Sequence, residues 1–213
     1  MAISSWKRAG RRRLPRQWLF TDERLGGLRA EDPLWRAIAA LPRRAGIVFR
    51  HYGWPPEQRL RLFRQLLAVA RLKALLVVAS GLPDAGPGAD LGDGVHRPAG
   101  SRARRRRGLL TAAAHNEGEI RCAFRRRADL VFLSPVFATA SHPGAAVLGP
   151  RRFGRMARRA PGPVVALGGM DAARARLLRR LGAFGHAGID CWAAPASPAR
   201  ANAQSPKSCA DKA

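Results

Sequence analysis

The chain has 213 residues, 46% of them hydrophobic, so it can bury one sizeable core or two small ones. No apolar run approaches the roughly 20 residues that a membrane helix needs, which argues against a membrane protein. The formal net charge of +25 would suit a nucleic-acid-binding protein. The arginines are spread through every segment, however, so beyond non-specific attraction to polyanions we do not expect nucleic acid as a partner.

The first half of the chain alternates short β-type runs with helical ones. Residues 1–16 are Arg-rich and lack acidic residues, which predicts a disordered basic arm. Residues 18–21 and 46–49 are typical of strands, and a helix is predicted over residues 34–41. Pro55 and Pro56 begin a second helix, whose spacing predicts one apolar face formed by Leu60, Phe63, Leu66, Leu67 and Ala70.

The second half continues the alternation. Residues 74–79 form a continuous apolar run, typical of a strand buried on both faces. Five more strands are predicted at residues 94–96, 109–113, 130–133, 164–167 and 185–189, with helices near residues 117–126, 149–159 and 171–181. Eight parallel strands favour a closed barrel, so the prediction is an α/β fold with a single (β/α)8 TIM-type barrel over residues 17–193. Residues 194–213 are small and polar, which predicts a disordered tail and a short or missing eighth helix.

The three cysteines are widely separated. Cys122, Cys191 and Cys209 form neither a zinc-binding spacing nor an even disulfide framework. A reducing compartment fits them best, and we expect a cytoplasmic protein.

A glycine pair at the end of the seventh strand indicates a phosphate site. In such barrels phosphate commonly binds after strands seven and eight, at helix N-termini. Gly168 and Gly169 would let backbone N–H groups approach an anion closely, and Asp171 is placed to cap the following helix. A tight turn without a ligand is the alternative.

A hydroxyl-rich loop follows the sixth strand and reads Ser-Pro-Val-Phe-Ala-Thr-Ala-Ser-His over residues 134–142. Thr139, Ser141 and His142 could contact phosphate or diphosphate oxygens.

These segments together resemble the thiamine phosphate synthase and thiazole tautomerase family. The family's Ser-x-His, Ala-Asp-Tyr/Leu, Gly-Pro-x-Phe-x-Thr-x-Thr-Lys and Val-Ala-Ile-Gly-Gly-Ile motifs have counterparts at residues 113–115, 128–130, 134–142 and 165–170. The closing Gly-x-Ala strand matches residues 185–187. Upstream, Leu-x-Thr-Asp matches residues 19–22 and Gly-Val-His matches residues 94–96, and Phe49-Arg50 resembles the family's Leu-Arg.

The resemblance implies a transferase of thiamine biosynthesis that joins hydroxymethylpyrimidine diphosphate to thiazole phosphate and releases diphosphate. It implies Mg²⁺ as cofactor and small phosphorylated molecules as partners, and leaves homo-oligomers open. Arg50 would contact diphosphate. The thiazole-phosphate pocket would be formed by Thr139, Ser141, Gly168, Gly169, Ile189 and Asp190. His115 and, second, His142 are the acid/base candidates that a tautomerase would need.

The departures from the family pattern concentrate on the diphosphate and metal side. The family's Asn-Asp after the third strand is Ala79-Ser80, and residues 97–100 lack its second Mg²⁺ carboxylate. The Gln and Lys flanking its Arg are Val48 and Tyr52. Asp84, Asp90 or Asp93 could supply metal ligands instead, and Arg97 or the run at residues 104–107 could neutralise diphosphate without metal.

Three hypotheses follow. The chain is a divergent transferase of this family, or a barrel that kept a phosphate pocket and serves in binding, regulation or tautomerisation. The third hypothesis, a basic nucleic-acid-associated protein, rests on charge alone.

Overall fold

Eight short parallel strands close into a barrel in the computed structural model, which describes residues 14–82, 92–99, 108–139, 144 and 146–193. Residues 1–13 of the predicted arm over residues 1–16, and the predicted tail over residues 194–213, lie outside this part. The strands are β1 (Gln17–Phe20), β2 (Gly46–Phe49), β3 (Leu76–Ser80), β4 (Gly94–Arg97), β5 (Leu109–Ala114), β6 (Leu130–Leu133), β7 (Val164–Leu167) and β8 (Gly185–Gly188). Trp18 of β1 pairs with Gly46 of β2 and with Ala187 of β8, which closes the barrel.

Helices cover the outside of this barrel. They are α1 (Pro33–Ala40), α2 (Pro56–Leu72), α3 (Glu117–Arg125), α4 (Gly149–Arg159), α5 (Ala172–Arg180) and the four-residue α6 (Asp190–Ala193), with a 3-10 turn at Glu23–Leu25. The predicted TIM-type barrel is therefore confirmed. Within the described ranges, no helix is long and apolar enough to cross a membrane.

Two local predictions need correction. Leu60 is only half-buried, and the apolar face of α2 instead contains the fully buried Leu62 beside Phe63. The strand predicted from residue 74 begins at Leu76. Ala74 has a φ of 53°, and the N–H of Leu75 donates to the carbonyl of Ala70, so these residues end α2.

Aromatic rings fill the barrel interior. Phe132 of β6 packs edge-on against Trp18 at 5.2 Å and against Phe20 at 4.8 Å between ring centroids, and β1 and β6 are not neighbours in the sheet. These rings therefore meet inside the barrel. Gly46 makes room for them, because a Cβ there would overlap the indole ring of Trp18.

Candidate functional site

A cavity of about 720 Å³ opens at the carboxyl ends of the strands. Residues from the ends of β1, β2, β4, β5, β6, β7 and β8 surround it. Its lining is Phe20, Arg50, Tyr52, His96, Pro98, Ala99, Ala113, His115, Ser134, Pro135, Ala138, Thr139, Leu167, Gly168, Gly169, Met170, Asp171, Arg174, Gly188, Ile189, Asp190 and Cys191. This is the end at which barrels of this type place their ligands.

One side of the cavity is built from backbone, and we call the residues after β6, β7 and β8 that line it the glycine side. Gly168 and Gly169 have φ values of 99° and 59°. A Cβ on Gly168 would lie 3.0 Å from Pro135, and one on Gly169 would overlap the carbonyl of Ala138. Only glycine fits both the conformation and the space at these two positions.

The loop after β6 is hydrogen-bonded to this turn. The N–H of Val136 donates to the carbonyl of Leu167 at 3.0 Å, and the N–H of Phe137 donates to that of Gly168 at 3.2 Å. The N–H groups of Gly169 and Met170 donate to no acceptor in the described part of the chain. Two N–H donors are thus left at the cavity wall beside the N-terminus of α5.

The predicted cap of α5 is confirmed. The side chain of Asp171 accepts a hydrogen bond from the N–H of Arg174 at 2.8 Å. The guanidinium of Arg174 lies 4.6 Å from the ring centroid of Phe137 and donates to the carbonyl of Gly169 at 2.5 Å. It therefore adds a positive charge to the glycine side.

The opposite side is built from side chains, and we call it the arginine side. It consists of Arg50 and Tyr52 after β2, Ser80 at the end of β3, and Arg59 near the start of α2. Arg50 donates from Nε to the carbonyl of Thr21 at 3.0 Å, and its own N–H donates to the Thr21 hydroxyl at 3.0 Å. Its guanidinium lies 5.2 Å from the ring centroid of Phe20. Burial lowers the pKa of Arg50, with the positive charge of Arg24 adding to the effect.

Behind Arg50 lies a second, more deeply buried guanidinium. Arg59 of α2 is 7% exposed and donates four hydrogen bonds to the carbonyl groups of Arg50, Ser80 and Gly81, at 2.6 to 3.0 Å. The hydroxyl groups of Tyr52 and Ser80 are 2.5 Å apart. Arg59 therefore joins the ends of β2 and β3.

A neutral histidine forms the floor between the two sides. Nδ1 of His96 is 2.9 Å from the hydroxyl of the fully buried Thr111, and Phe20 and Phe132 pack edge-on against the imidazole. Burial, assisted by the nearby charge of Arg50, lowers the pKa of His96 to about 3. The floor is therefore apolar and uncharged around neutral pH.

His115 stands at the cavity wall, paired with a carboxylate. Its Nδ1 is 3.0 Å from Oε2 of Glu119, which also accepts the N–H of His115 at 2.7 Å. Asn116 caps α3 through the N–H of Glu119. This capping arrangement fixes the imidazole while about half of its side chain stays exposed.

Asp190 lies on the glycine side near a cation. Its carboxylate is 3.7 Å from the guanidinium of Arg24, which also forms a 2.9 Å ion pair with Asp22. Nη2 of Arg50 is 3.8 Å from the same carboxylate of Asp22. Arg24 thus lies between the carboxylates that follow β1 and β8.

The structure brings most of the predicted site residues to one cavity. These are Arg50, His115, Thr139, Gly168, Gly169, Ile189 and Asp190. Ser141 and His142 lie outside the described residues, as do Asp84, Asp90 and the arginine run at residues 104–107.

Two of the alternative residues are directed elsewhere. Asp93 accepts the N–H of Val77 at the amino end of β3, the end opposite the cavity. Arg97 lines a separate cavity of about 230 Å³ between the sheet and α3. Because neighbouring side chains on a strand point to opposite faces, the inward-facing His96 directs Arg97 outward. Neither residue serves the barrel mouth.

Sequence reasoning missed Arg59 and Arg174, because both resemble solvated arginines of amphipathic helices. Arg59 had one signal in the chain. It falls three and four residues before Leu62 and Phe63, on the buried face of α2. Nothing in the sequence indicates that Tyr52 meets Ser80.

The closed barrel of eight parallel strands places this protein among the TIM-type barrels. Its cavity at the carboxyl ends of the strands is the candidate ligand site. A sequence profile described as thiamine monophosphate synthase matches residues 21–191. The chain belongs to this family, whose members serve thiamine biosynthesis.

Individual relatives are more distant. A protein of Aquifex aeolicus (strain VF5) provisionally named thiamine-phosphate synthase 2 is 32% identical over 84 residues, which are 39% of this chain and 45% of that protein. The match thus spans less than half of that relative.

Solved structures share the architecture. Thiamine phosphate pyrophosphorylase from Pyrococcus furiosus superposes with a TM-score of 0.69 at 22% identity, over 83% of this chain and 86% of that one. (S)-3-O-geranylgeranylglyceryl phosphate synthase from Thermoplasma acidophilum, solved with sn-glycerol-1-phosphate, gives 0.58 at 12% identity, over 90% and 92%. At these identities the likeness shows the fold alone.

The residues at the arginine side do not fit the Mg²⁺ that the family implies. A hard cation needs several oxygen ligands, usually including a carboxylate. Among the residues that the structure describes, no group of three or more His, Cys, Asp or Glu side chains could hold a metal ion. The carbonyl groups of Ser80 and Gly81 already accept from Arg59, and the Ser80 hydroxyl is paired with Tyr52.

Proposed function

We propose that the protein is a thiamine-phosphate-synthase-type transferase, which joins hydroxymethylpyrimidine diphosphate to thiazole phosphate and releases diphosphate. The observation that carries this proposal is a single cavity with anion-attracting groups on two opposite sides. One side offers backbone N–H groups at Gly169 and Met170, and the other offers the guanidinium of Arg50. Such a cavity suits two phosphorylated substrates that must meet.

Each side has a task in this reaction. As the bond between the pyrimidine methylene and diphosphate breaks, negative charge grows on the leaving group and positive charge on the methylene. Arg50 stabilises the leaving diphosphate, since a fixed cation needs no reorganisation when the charge develops. The glycine side holds the thiazole phosphate beside the N-terminus of α5.

The floor orients the heterocycles without adding charge. Phe20 and His96, supported from below by Phe132, give the cavity an aromatic surface for a flat ring. Because His96 is neutral, it does not oppose the positive charge that develops on the methylene. Packing around the substrates also excludes water, which would otherwise attack that carbon.

Product formation tests the proposal directly. The purified full chain is given both substrates, and thiamine phosphate and diphosphate are quantified by chromatography. We expect the two products in equal amounts. Thiazole phosphate binding without any product would overturn the transferase and favour a binding or regulatory barrel.

A second candidate, thiazole tautomerase, is favoured by the contact between His115 and Glu119. A carboxylate at 3.0 Å from Nδ1 fixes the imidazole, so that Nε2 can exchange protons with a ligand. Under this function His115→Gln abolishes turnover, whereas a transferase carrying the same change keeps most of its activity. Interconversion of the tautomers of a thiazole phosphate, followed by NMR, distinguishes the two functions.

We further propose that the partners are small phosphorylated molecules, not nucleic acid. The support is the concave cavity at the barrel mouth and the scatter of arginine over the helices, such as Arg158 and Arg179. Submicromolar binding of duplex DNA at physiological salt would contradict this proposal.

A further inference from the structure

The arginine side holds two guanidinium groups, those of Arg50 and Arg59, at the strand ends where the family pattern has metal ligands. The contacts of Arg59 show why a metal would find few free ligands there. Arg59 donates to three carbonyl groups at the ends of β2 and β3, those of Arg50, Ser80 and Gly81. Converging carbonyl oxygens are groups that could otherwise attract a metal cation. Here the positively charged guanidinium of Arg59 already donates hydrogen bonds to all three of these carbonyl groups.

The two hydroxyl groups nearby are also taken. Tyr52 stands where the family has Lys, and Ser80 stands where it has the Mg²⁺-binding Asp. Their hydroxyl oxygens lie 2.5 Å apart and hydrogen-bond to each other. This change removes one cation and one carboxylate together, so the local charge stays balanced without a metal.

Arg50 is the cation that remains available to a ligand. Its side chain is 20% exposed and lines the cavity, with Nε bound to Thr21. Within the described segments, its two terminal nitrogens make no hydrogen bond, and the carboxylate of Asp22 lies 3.8 Å away. That carboxylate already accepts three hydrogen bonds from Arg24, so it only partly neutralises Arg50.

Burying a guanidinium whose charge is only partly neutralised costs free energy, unless an anion binds to it and neutralises the rest. The planar fork of arginine matches phosphate oxygens with two parallel hydrogen bonds. The aromatic ring of Phe20 beneath the guanidinium and the bond to Thr21 fix its orientation before any ligand arrives.

We propose that the arginine side binds the diphosphate group of an organic diphosphate directly through Arg50, without a divalent metal. This inference rests on the proposed function for the identity of that organic diphosphate, which is hydroxymethylpyrimidine diphosphate. Arg50 contacts the ligand, and Arg59 is a positioning residue that holds the Arg50 carbonyl and the end of β3.

Calorimetric titration of the full chain with inorganic pyrophosphate, in chelator and again in excess Mg²⁺, tests this inference. We expect binding in chelator, and no gain in affinity when Mg²⁺ is added. Arg50→Gln should weaken binding in chelator about tenfold or more, the loss expected for a charge-assisted hydrogen-bonded pair. Arg50→Lys, which keeps the charge and loses the fork, should fall between Arg50→Gln and the unmodified protein.

Arg64→Gln is the matched control, because Arg64 lies exposed on α2 and the net charge falls by the same amount. It should bind pyrophosphate like the unmodified protein. Equal losses in Arg50→Gln and Arg64→Gln would show binding by overall charge and overturn the inference. Binding that requires Mg²⁺, or no binding in either condition, would overturn it as well.

The outcome is separable from that of the proposed function. Thiamine phosphate formed only with Mg²⁺, together with Mg²⁺-dependent pyrophosphate binding, refutes the inference and leaves the transferase standing. Metal-free pyrophosphate binding without thiamine phosphate formation refutes the transferase and leaves the inference standing.

Discussion

The glycine side of the cavity presents main-chain groups to a ligand, whereas the arginine side presents side-chain groups. On the glycine side, turns and N–H groups line the wall, and Gly168 and Gly169 are fixed by contacts with Pro135 and Ala138. On the arginine side, the groups facing the cavity are the side chains of Arg50 and Tyr52, which follow β2, with Arg59 of α2 behind them.

This difference accounts for where the chain departs from its family. A backbone site tolerates sequence change as long as its glycines remain, because every residue supplies an N–H group. A side-chain site changes its chemistry with each substitution. Here Tyr52, Ser80 and Arg59 make a self-contained set of hydrogen bonds at that side. The predictions below test whether the two sides are separable.

The largest effect is expected for Gly169→Ala, which should impair the glycine side alone. The φ of 59° and the overlap of a Cβ with the Ala138 carbonyl together should cost about 3–4 kcal/mol of the free energy of unfolding, measured by denaturant titration. Thiazole phosphate binding should be lost and pyrophosphate binding kept.

Gly149→Ala is the control for that change. Gly149 has a φ of 70°, but no atom of the residues that the structure describes lies within 4 Å of its Cβ position. The free energy of unfolding of Gly149→Ala should fall by only about 1 kcal/mol, because alanine disfavours the left-handed backbone conformation. An equal loss in both variants would show that the contact with Ala138 is irrelevant.

Arg59→Met should impair the arginine side alone. It leaves three main-chain carbonyl groups without their donors and should lower the free energy of unfolding by about 2–3 kcal/mol. Pyrophosphate binding should weaken, with thiazole phosphate binding unchanged. Arg61→Met, an exposed neighbour on α2, should change neither quantity. A joint loss of both ligands in Arg59→Met would contradict the separation of the two sides.

The histidine between the two sides predicts a pH dependence of stability. In the unfolded chain His96 binds a proton near pH 6.5, but in the folded protein only near its pKa of about 3. Between these values the unfolded state binds more protons. The free energy of unfolding should therefore fall as pH is lowered from about 6.5 towards 3, with His96 contributing up to about 1.4 kcal/mol per pH unit.

Denaturant titrations of the unmodified protein and of His96→Asn over this range measure the contribution. Burial also lowers the pKa of His51 and of His186, and both remain in the variant. The difference between the two slopes therefore isolates His96. Parallel curves would show that His96 takes up its proton in the folded protein as readily as in the unfolded chain.

The smallest effect is expected for Asp190→Ser on the glycine side. The carboxylate of Asp190 is exposed and repels a phosphate held at the neighbouring N–H groups, although Arg24 partly neutralises it. Its removal should tighten thiazole phosphate binding by roughly two- to fivefold, a small gain because water screens the charge. Pyrophosphate binding should not change. Weaker binding of thiazole phosphate would show that Asp190 itself contacts the ligand.

Most of the fold was predictable because periodicity alone reveals it. Buried parallel strands such as Leu130–Leu133 and Val164–Leu167 are continuous apolar runs, and their order along the chain fixes their order around the barrel. The errors were local. Ala74 ends a helix in a conformation that its residue type does not favour, and Leu60 lies one position outside the buried face of α2.

Family motifs in the sequence also identified the glycine side, because Gly168 and Gly169 act through the conformation that glycine alone allows. The arginine side could not be predicted in the same way. Its bonds from Arg59 to Ser80 and Gly81 join residues more than 20 positions apart. In a chain with this many arginines, the spacing of Arg59 to Leu62 and Phe63 is the one sign that it is buried, and its partners have none.

The sequence by itself thus determined the barrel, its closure and the turn at Gly168 and Gly169, since local conformation and apolar period specify them. On the opposite side the sequence named Arg50, and only the tertiary structure decided the contacts of Arg59, Tyr52 and Ser80 around it. There the curvature of the barrel brings the ends of β2 and β3 under one guanidinium of α2, and Arg59 donates to the carbonyl groups of Arg50, Ser80 and Gly81.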